Sequence, residues 1–300
     1  MQSNTPPISN TGKKQKLLFQ IGEKNAGFYS NYNNMVLAIL YCQKRNIEFC
    51  LCSKHSNMAY KKGWQDYFLP FCEETDNRYD TMYCGRFRPW PRKKDWPKLA
   101  IYKTHLWLHN INLLKPDVFW EAHRQPLYPG MVDDCRVIDR RIYRFNESTK
   151  REIEKYASTV DLSRPFVSMH IRRGDKKNET HNIIPLNRYF EEATKQTEIR
   201  RCFISSDDYS VIEEAKERYP EWDIQTISRP EDRGYNQSEY DSLSKDERRE
   251  SLILLFANIE ILAKAEYFFG TLSSNIGMYM YWRMPDGHCI GVDFKEWRIW

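Results

Sequence analysis

The sequence lacks any long apolar run, and this absence limits where the chain is expected to act. No stretch of about eighteen apolar residues occurs, and residues 1–16 are polar, without the apolar segment of a signal peptide. We therefore expect neither a membrane span nor a signal peptide. The expected location is the cytoplasm, with at most a peripheral association with a membrane.

The motifs of several common chemistries are absent as well. The eight cysteines are scattered without a C-x-x-C pair or a histidine at metal-ligand spacing, which predicts reduced and mostly buried thiols. A Walker A sequence and G-x-G-x-x-G are missing, so ATP hydrolysis and nicotinamide chemistry lack their usual phosphate cradle. The Asp-x-Asp pattern that often holds a divalent ion on a sugar nucleotide is missing too, and we expect no metal cofactor.

The charge is modest for a chain of this length. The 46 Lys and Arg residues exceed the 41 Asp and Glu residues by five, and the excess is spread along the chain. This distribution suits a small anionic ligand better than a long polyanion. A nucleotide- or RNA-binding regulatory module stays open as an alternative, because Arg172, Arg173 and the Trp-containing basic residues 86–94 are compatible with nucleic acid.

The first half of the chain begins with a predicted flexible lead-in, residues 1–15, rich in Asn, Ser, Thr and Pro. Apolar residues 17–21 and 47–51 flank a segment with apolar side chains at helical spacing, which predicts a strand, a helix and a second, parallel strand. Between residues 60 and 129, Trp, Tyr and Pro interrupt the hydrophobic periodicity, so the sequence predicts little secondary structure there.

The second half alternates regularly between strand and helix signals. Thr149 and Glu152 match a capping box that opens a helix, and we place a domain boundary there, between residues 16–150 and 151–300. Strands are predicted at residues 166–171, 201–205, 222–227, 267–270 and 288–292, with helices between them. This order predicts an α/β fold with a doubly wound parallel sheet.

Ligands of such sheets bind beside the loops that follow the strands, and the first of these loops is strongly basic. It carries His170, Arg172, Arg173, Asp175 and Lys176 around a glycine. Arg suits a diphosphate because its planar guanidinium donates two parallel hydrogen bonds to phosphate oxygens and keeps its charge. The alternative is a solvated, salt-bridged turn.

Two further loops are predicted to reach the same edge. Asp207 and Asp208 follow the second strand: one is expected to cap the next helix, and the other to accept from a ribose hydroxyl or orient an arginine. Ser273, Ser274 and Asn275 precede a helix whose amino-terminal N–H groups favour an anion, although Ser273 is alternatively a simple N-cap. Together the three loops predict one diphosphate site.

Residues 170–176, 205–208 and 251–275 resemble the fucosyltransferase superfamily that includes α1,6-fucosyltransferases of N-glycan cores and nodulation factors, α1,2 enzymes and protein O-fucosyl enzymes. The resemblance implies a GT-B fold, with two Rossmann-like domains facing across a cleft, an amino-terminal acceptor domain and a carboxyl-terminal GDP-fucose domain. It implies inverting transfer of L-fucose from GDP-β-L-fucose to a glycan, with an α1,6 linkage favoured. An α1,2 linkage and another nucleotide-sugar donor stay as alternatives.

The resemblance also implies residue roles. Arg172 is expected on the β-phosphate as the central catalytic group, and Glu179 is the candidate general base. Asn258 stands where core α1,6 enzymes have an aspartate that accepts from the guanine edge. The remaining donor-binding candidates are His170, Arg173, Asp175, Lys176, Asp207, Asp208, Ser273, Ser274 and Asn275.

Acceptor recognition is expected in the aromatic-rich first half, because sugars stack their apolar faces on Trp and Tyr. Trp64, Trp90 and Trp107 are candidates, and core packing is the alternative for each. Basic residues 86–94 suit a lipid-linked diphosphate acceptor or, alternatively, a plain solvated loop.

Overall fold

The computed structural model describes residues 14–22, 26–77, 79, 92–113, 127–174 and 183–297. Nearly all of the predicted lead-in, and four of the residues singled out by the sequence, lie outside these ranges. Those four are Trp90, Asp175, Lys176 and Glu179.

The first half forms a parallel sheet of four strands in the order β3-β2-β1-β4. The strands are β1 (Lys14–Gln20), β2 (Glu48–Cys52), β3 (Glu73–Glu74) and β4 (Ile111–Leu113). Helix α1 (Phe28–Lys44) connects β1 to β2, which pair in parallel with Leu18 opposite Cys50. The predicted strand–helix–strand unit is therefore confirmed.

Alternation along β1 decides what covers each face of this sheet. Leu17 and Phe19 pack into the same core as α1, whereas Leu18 faces the opposite side. On that side, Tyr102 and Leu106 of helix α2 (Trp96–Leu108) cover the strands. Helices α1 and α2 thus lie on opposite faces of the first sheet, as strand alternation requires.

Two helices, α3 (Met131–Ile142) and α4 (Glu147–Ala157), follow the first sheet. The capping box predicted from Thr149 and Glu152 is wrong. Asn146 is the N-cap, and its side-chain oxygen accepts from the Thr149 amide at 2.9 Å. The predicted domain boundary at residue 150 falls inside α4, and the division into domains stays a prediction.

The second half forms a parallel sheet of five strands in the order β7-β6-β5-β8-β9. The strands are β5 (Val167–Ile171), β6 (Arg201–Ser206), β7 (Asp223–Gln225), β8 (Tyr267–Gly270) and β9 (Cys289–Gly291). The helices are α5 (Leu186–Gln196), α6 (Ser210–Arg218), α7 (Gln237–Ser242), α8 (Lys245–Leu262) and α9 (Asn275–Arg283). All five predicted strands are confirmed.

Helices cover both faces of the second sheet, so the doubly wound arrangement is confirmed. Side chains of α5 and α6 pack with Val167, Met169 and Ile171 on one face. On the other face, α8 joins Phe203 and Phe268 in a core that also contains β1 and α1. One hydrophobic core therefore connects the two halves. No helix in the described ranges is long and apolar enough to cross a membrane.

Candidate functional site

The three loops predicted to form the site do meet at one edge of the second sheet. Strand β5 lies between β6 and β8, and His170 is the register partner of both Ser205 and Gly270. Because the three strands are parallel, the loops after them leave from the same edge. The predicted convergence is confirmed.

A carboxylate of the second loop fixes the first loop. Asp207 accepts hydrogen bonds from the backbone amides of Arg173 at 2.7 Å and Gly174 at 3.0 Å. It also accepts from the amide of Tyr235 at 3.2 Å, while its carbonyl accepts from Gly234 at 2.8 Å. Asp207 thereby joins the basic loop to residues 234–235, which lie far along the chain.

Gly174 is required where these segments cross. A Cβ atom at this position would lie 2.3 Å from the carbonyl oxygen of Tyr235 and 2.8 Å from a carboxylate oxygen of Asp207. Both distances are too short for any side chain. Gly174 thus allows close approach of the protein's own backbone.

The side chains of the two adjacent arginines make different contacts. Arg173 donates to the carbonyl oxygen of Ile184 at 2.9 Å. Arg172 is half-buried, and its guanidinium carbon lies 5.9 Å from the ring centroid of Tyr235. This is a cation–π contact between the guanidinium and the Tyr235 ring. Asp175, Lys176 and Glu179 lie outside the described residues.

The structure separates the roles of the two aspartates of the second loop. Asp208 accepts from the amide of Ser210 at 3.1 Å and from its hydroxyl at 2.7 Å, and so forms a turn directly before α6, whose N-cap position is Tyr209. Asp207 orients the basic loop through backbone amides. One aspartate is therefore a turn residue at the start of the helix, not its N-cap.

In the third loop the capping residue is Ser274, so the alternative of Ser273 as the N-cap is wrong. The Ser274 hydroxyl accepts from the Gly277 amide at 3.0 Å and donates to the Thr271 carbonyl at 2.8 Å. Ser273 therefore lies one residue before the N-cap of α9. Asn275 is the first residue of α9.

Sequence reasoning missed the residue that holds this third loop. The Asp293 carboxylate accepts from the amides of Leu272 at 2.7 Å and Ser273 at 3.1 Å. These two amides precede the N-cap Ser274, and a protein carboxylate holds them in place. Asp293 follows β9 at the same sheet edge, and applying the strand-end rule to β9 would have found it.

Two buried polar residues lie near the centre of this edge. His170 is the fourth residue of β5 and Asn258 lies on α8, which packs against β5 and β6. The Asn258 amide nitrogen donates to the Leu254 carbonyl at 2.9 Å. Its oxygen is buried and has no hydrogen-bond partner among the described residues. Such an oxygen is a desolvated acceptor that a ligand N–H group would satisfy.

The first half of the chain reaches this edge through buried asparagines that the sequence did not single out. Asn33 of α1 donates to the carbonyl of Asn275 at 2.8 Å. Asn57 donates to the carboxylate of Asp241, on α7, at 2.9 Å. The oxygens of Asn33 and Asn57 are buried without partners among the described residues. The start of α1 is therefore placed against the third loop.

Neither described acceptor candidate among the tryptophans, Trp64 or Trp107, lies at this edge. Trp64 is buried, its ring lies 4.2 Å from that of Phe68, and its indole N–H donates to the Leu69 carbonyl. For Trp64, the alternative of core packing is therefore confirmed. Trp107 is exposed on α2, on the far face of the first sheet from α1. Trp90 and residues 86–91 lie outside the described ranges.

A buried ionic cluster connects the helices behind the loops. Arg283 of α9 lies 3.4 Å from Asp139 of α3 and 3.0 Å from Glu260 of α8, measured between nitrogen and carboxylate oxygen. The hydroxyl of Tyr32, on α1, donates to Asp139 at 2.6 Å. Burial raises the pKa of both carboxyl groups, and the Arg283 charge opposes that rise.

Cysteines and possible metal ligands give no second site within the described residues. The seven described cysteines are free thiols and five of them are buried, as the scattered spacing predicts. Among the described ranges, no group of three His, Cys, Asp or Glu side chains is arranged to hold a metal ion.

The chain is similar to known proteins across the part that carries this site. Residues 136–285 match the model of the α-(1,6)-fucosyltransferase N- and catalytic domains. A Drosophila melanogaster α-(1,6)-fucosyltransferase is 30% identical over 272 residues, covering 78% of this chain and 40% of the relative. A Caenorhabditis elegans α-(1,6)-fucosyltransferase is 30% identical over 170 residues, covering 52% of this chain and 29% of the relative. The chain thus spans well under half the length of these relatives.

Solved structures share the fold over nearly the whole chain. The fucosyltransferase NodZ from Bradyrhizobium has a TM-score of 0.57 at 13% identity, covering 91% of this chain and 94% of its own. A crystal structure of the NodZ α-1,6-fucosyltransferase soaked with GDP-fucose gives a TM-score of 0.55. With the family model matching half of the sequence, including all three loops of the site, the chain belongs to the α-(1,6)-fucosyltransferase family.

Proposed function

We propose that this protein transfers L-fucose from GDP-β-L-fucose to a hydroxyl group of a glycan, with inversion at the anomeric carbon and an α1,6 linkage. Family membership supports the reaction, and the NodZ crystal structure soaked with GDP-fucose supports the donor. The observation that carries the proposal is the position of Arg172. It lies at the end of β5 on a loop that Asp207 holds in place, beside the two other loops of the same edge.

Guanidinium charge is the feature that fits a departing diphosphate. As the bond between the anomeric carbon and the β-phosphate oxygen breaks, negative charge grows on GDP. Arg172 neutralises this charge from a fixed position, and each such donor is worth roughly 10² to 10³ in rate. The Asp207 carboxylate accepts from the backbone amides of Arg173 and Gly174, which fixes the loop that carries Arg172.

The rest of the displacement needs a base and an oriented acceptor. The acceptor hydroxyl oxygen forms the new bond to the anomeric carbon on the face opposite the leaving group, and its proton passes to a base. Glu179 is our candidate for this base, a role worth roughly 10² to 10⁴ in rate. Arg172 acts on the leaving group and Glu179 on the nucleophile, so the two contributions are separable by mutation.

Neighbouring residues suggest positions for the guanine ring and for the acceptor. We place the guanine beside Asn258. The buried oxygen of Asn258 has no hydrogen-bond partner among the described residues, so it is able to accept from a ring N–H of guanine. We place the acceptor between the start of α1 and the third loop, where Asn33 meets Asn275. This is the GT-B arrangement, with an acceptor-side half and a donor-side half facing across a cleft.

We further propose that the reaction needs no divalent metal, because Arg172 supplies positive charge where other enzymes place an ion. The proposal is tested by measuring hydrolysis and transfer across GDP-fucose, GDP-mannose and UDP-sugars in buffer containing EDTA. Turnover with GDP-fucose alone, unaffected by EDTA, is the expected result. Turnover only with another donor, or only with added magnesium, contradicts the proposal.

The linkage and the non-enzymatic alternative are tested with the same protein. Linkage analysis of the product distinguishes α1,6 from α1,2 transfer. Thermal stabilisation by GDP at micromolar concentration without magnesium supports a nucleotide-sugar site. Stabilisation by oligonucleotides, with a steep dependence on salt, would instead indicate an RNA-binding module.

A further inference from the structure

Helix α2 has an apolar surface that faces away from the protein. Within its thirteen residues, Trp96, Ile101, Trp107 and Leu108 expose 62%, 70%, 70% and 67% of their surface. These are four of the seven large hydrophobic side chains that are exposed in the described part of the chain. Scattered exposed apolar residues are ordinary, but this concentration on one helix marks a surface that binds something.

The helical geometry groups these residues on one side. At 3.6 residues per turn, Trp96, Ile101, Trp107 and Leu108 fall within an arc of about 140°. The remaining positions in that arc are Pro97, Ala100 and Thr104, none of them charged. Tyr102 and Leu106 point the other way and are buried against β1 and β2. The outer apolar arc is therefore not needed to attach the helix to the sheet.

Cations border the apolar arc on both sides. Lys98 follows it in one direction around the helix, and Lys103 follows it in the other. At the amino-terminal end, Arg92, Lys93 and Lys94 are exposed. The one acidic residue between positions 92 and 113 is Asp95, which is buried and accepts from the Arg92 amide at 3.2 Å. The exposed surface of this segment therefore carries positive but no negative side chains.

We propose that α2 is an interfacial helix that docks the protein on an anionic lipid bilayer. An apolar arc bordered by lysines, with a tryptophan near each end, is the pattern of helices that lie in the plane of a membrane surface. At about 1.5 Å per residue the helix is roughly 20 Å long, too short to cross the hydrocarbon core of about 30 Å. Its lysines instead reach the headgroups of anionic lipids, while Trp96 and Trp107 lie at the headgroup boundary.

The charge pattern of the helix points to an anionic lipid surface as the occupant. The lysines lie at the border of the apolar arc and none lies inside it. This arrangement matches the layered bilayer, which is apolar within and negative at its surface. The proposal is independent of the reaction that the protein catalyses.

Sedimentation of the full chain with lipid vesicles tests the proposal. Binding to phosphatidylcholine vesicles that contain phosphatidylserine is expected to be at least about tenfold tighter than to pure phosphatidylcholine vesicles, and to weaken with salt. The double variant Ile101→Ser/Trp107→Ser is expected to lose at least about tenfold in vesicle affinity. Val137→Ser removes an equally exposed apolar side chain on α3 and is expected to bind as the unmodified protein does.

A charge variant separates the electrostatic contribution to vesicle binding from the apolar one. Lys98→Glu/Lys103→Glu is expected to abolish the preference for phosphatidylserine, and its unchanged melting temperature would show that the fold is intact. Absence of binding to anionic vesicles, or equal binding by Ile101→Ser/Trp107→Ser, overturns the proposal. A dimer in light scattering that the same double variant converts to monomer also overturns it, since a second copy would then cover the arc.

Discussion

The Asp207 carboxylate accepts a hydrogen bond from the Arg173 amide at 2.7 Å, which places an acidic side chain at the centre of a basic loop. Asp293 holds Leu272 and Ser273 of the third loop in the same way. Both carboxylates bind consecutive backbone amides, so each fixes the path of a loop rather than the charge of a side chain. The loops that surround the proposed diphosphate are therefore held in position before any ligand arrives.

Replacing Asp207 with Asn is expected to weaken donor binding. An amide leaves one oxygen for three N–H groups and loses the negative charge, and each charge-assisted bond is worth about 1.5–3 kcal/mol. If the free energy of one such hydrogen bond is lost from GDP binding, GDP affinity falls roughly tenfold to a hundredfold, as measured by calorimetric titration. Asp161→Asn is the control, because Asp161 also accepts from a backbone amide, at Ser163, but precedes β5. Equal GDP affinities of the two variants would contradict the role of Asp207.

Gly174→Ala is expected to displace the same loop by a steric route. The new methyl group would overlap the Tyr235 carbonyl, so the loop must shift to admit it. GDP affinity and turnover are both expected to fall at least about tenfold, while far-UV circular dichroism stays that of the folded protein. A Gly174→Ala protein with unchanged turnover would show that Arg172 does not depend on this crossing point.

The two serines of the third loop are expected to separate stability from binding. Ser274→Ala removes the N-cap of α9 and is expected to lower the free energy of unfolding by about 1 kcal/mol. Ser273→Ala is expected to change that free energy by less than about 0.5 kcal/mol and to weaken GDP binding. Urea unfolding and calorimetry measure the two quantities. If Ser273→Ala lowers the free energy of unfolding and Ser274→Ala does not, Ser273 is the cap and is not part of the donor site.

The buried cluster predicts a pH-dependent loss of stability when its cation is removed. Arg283→Met leaves Asp139 and Glu260 without their positive neighbour, which costs up to about 3–5 kcal/mol of unfolding free energy at neutral pH. Burial raises the folded-state pKa of both carboxyl groups, so the folded protein takes up protons at a higher pH than the unfolded chain. The stability associated with the protonated form is lost as pH rises through the folded pKa.

Urea unfolding of Arg283→Met across a pH series measures this effect. The deficit relative to the unmodified protein is expected to shrink as pH falls from 8 toward about 5, because protonation removes the unpaired negative charges. Arg218→Met is the control, since Arg218 pairs with Glu214 on the solvent-exposed surface and its loss is expected to leave the stability nearly unchanged at every pH. A deficit that grows on acidification would contradict the direction of these pKa shifts.

Periodic segments made the second half predictable from the sequence. Strand β5 is buried along its whole length and β8 along most of it, so both contain apolar side chains on both faces and stand out between helices. Because parallel strands end at one edge, the sequence predicted that the loops carrying Arg172, Asp207 and Ser273 lie together. The division of roles between Arg172 and Arg173 did not follow, since it depends on Tyr235 and Ile184, which are distant in the sequence.

The aromatic first half was less predictable for a physical reason. Trp64 is buried against Phe68 and Trp107 is exposed on α2, and this difference depends on the packing of the first sheet. The capping box predicted from Thr149 failed for a related reason, because the N-cap Asn146 lies three residues earlier. Several residues before a helix are able to cap it, and the loop geometry selects among them.

Fucosyl transfer by Arg172→Ala, with GDP-fucose as donor and EDTA present, tests the central claim most directly. Arg218→Ala serves as the matched loss of an arginine from the surface of α6. The account predicts that Arg172→Ala keeps its melting temperature and loses at least about 10² to 10³ in kcat, whereas Arg218→Ala keeps full turnover. Near-normal turnover by a folded Arg172→Ala protein would show that fixed guanidinium charge does not hold the departing diphosphate.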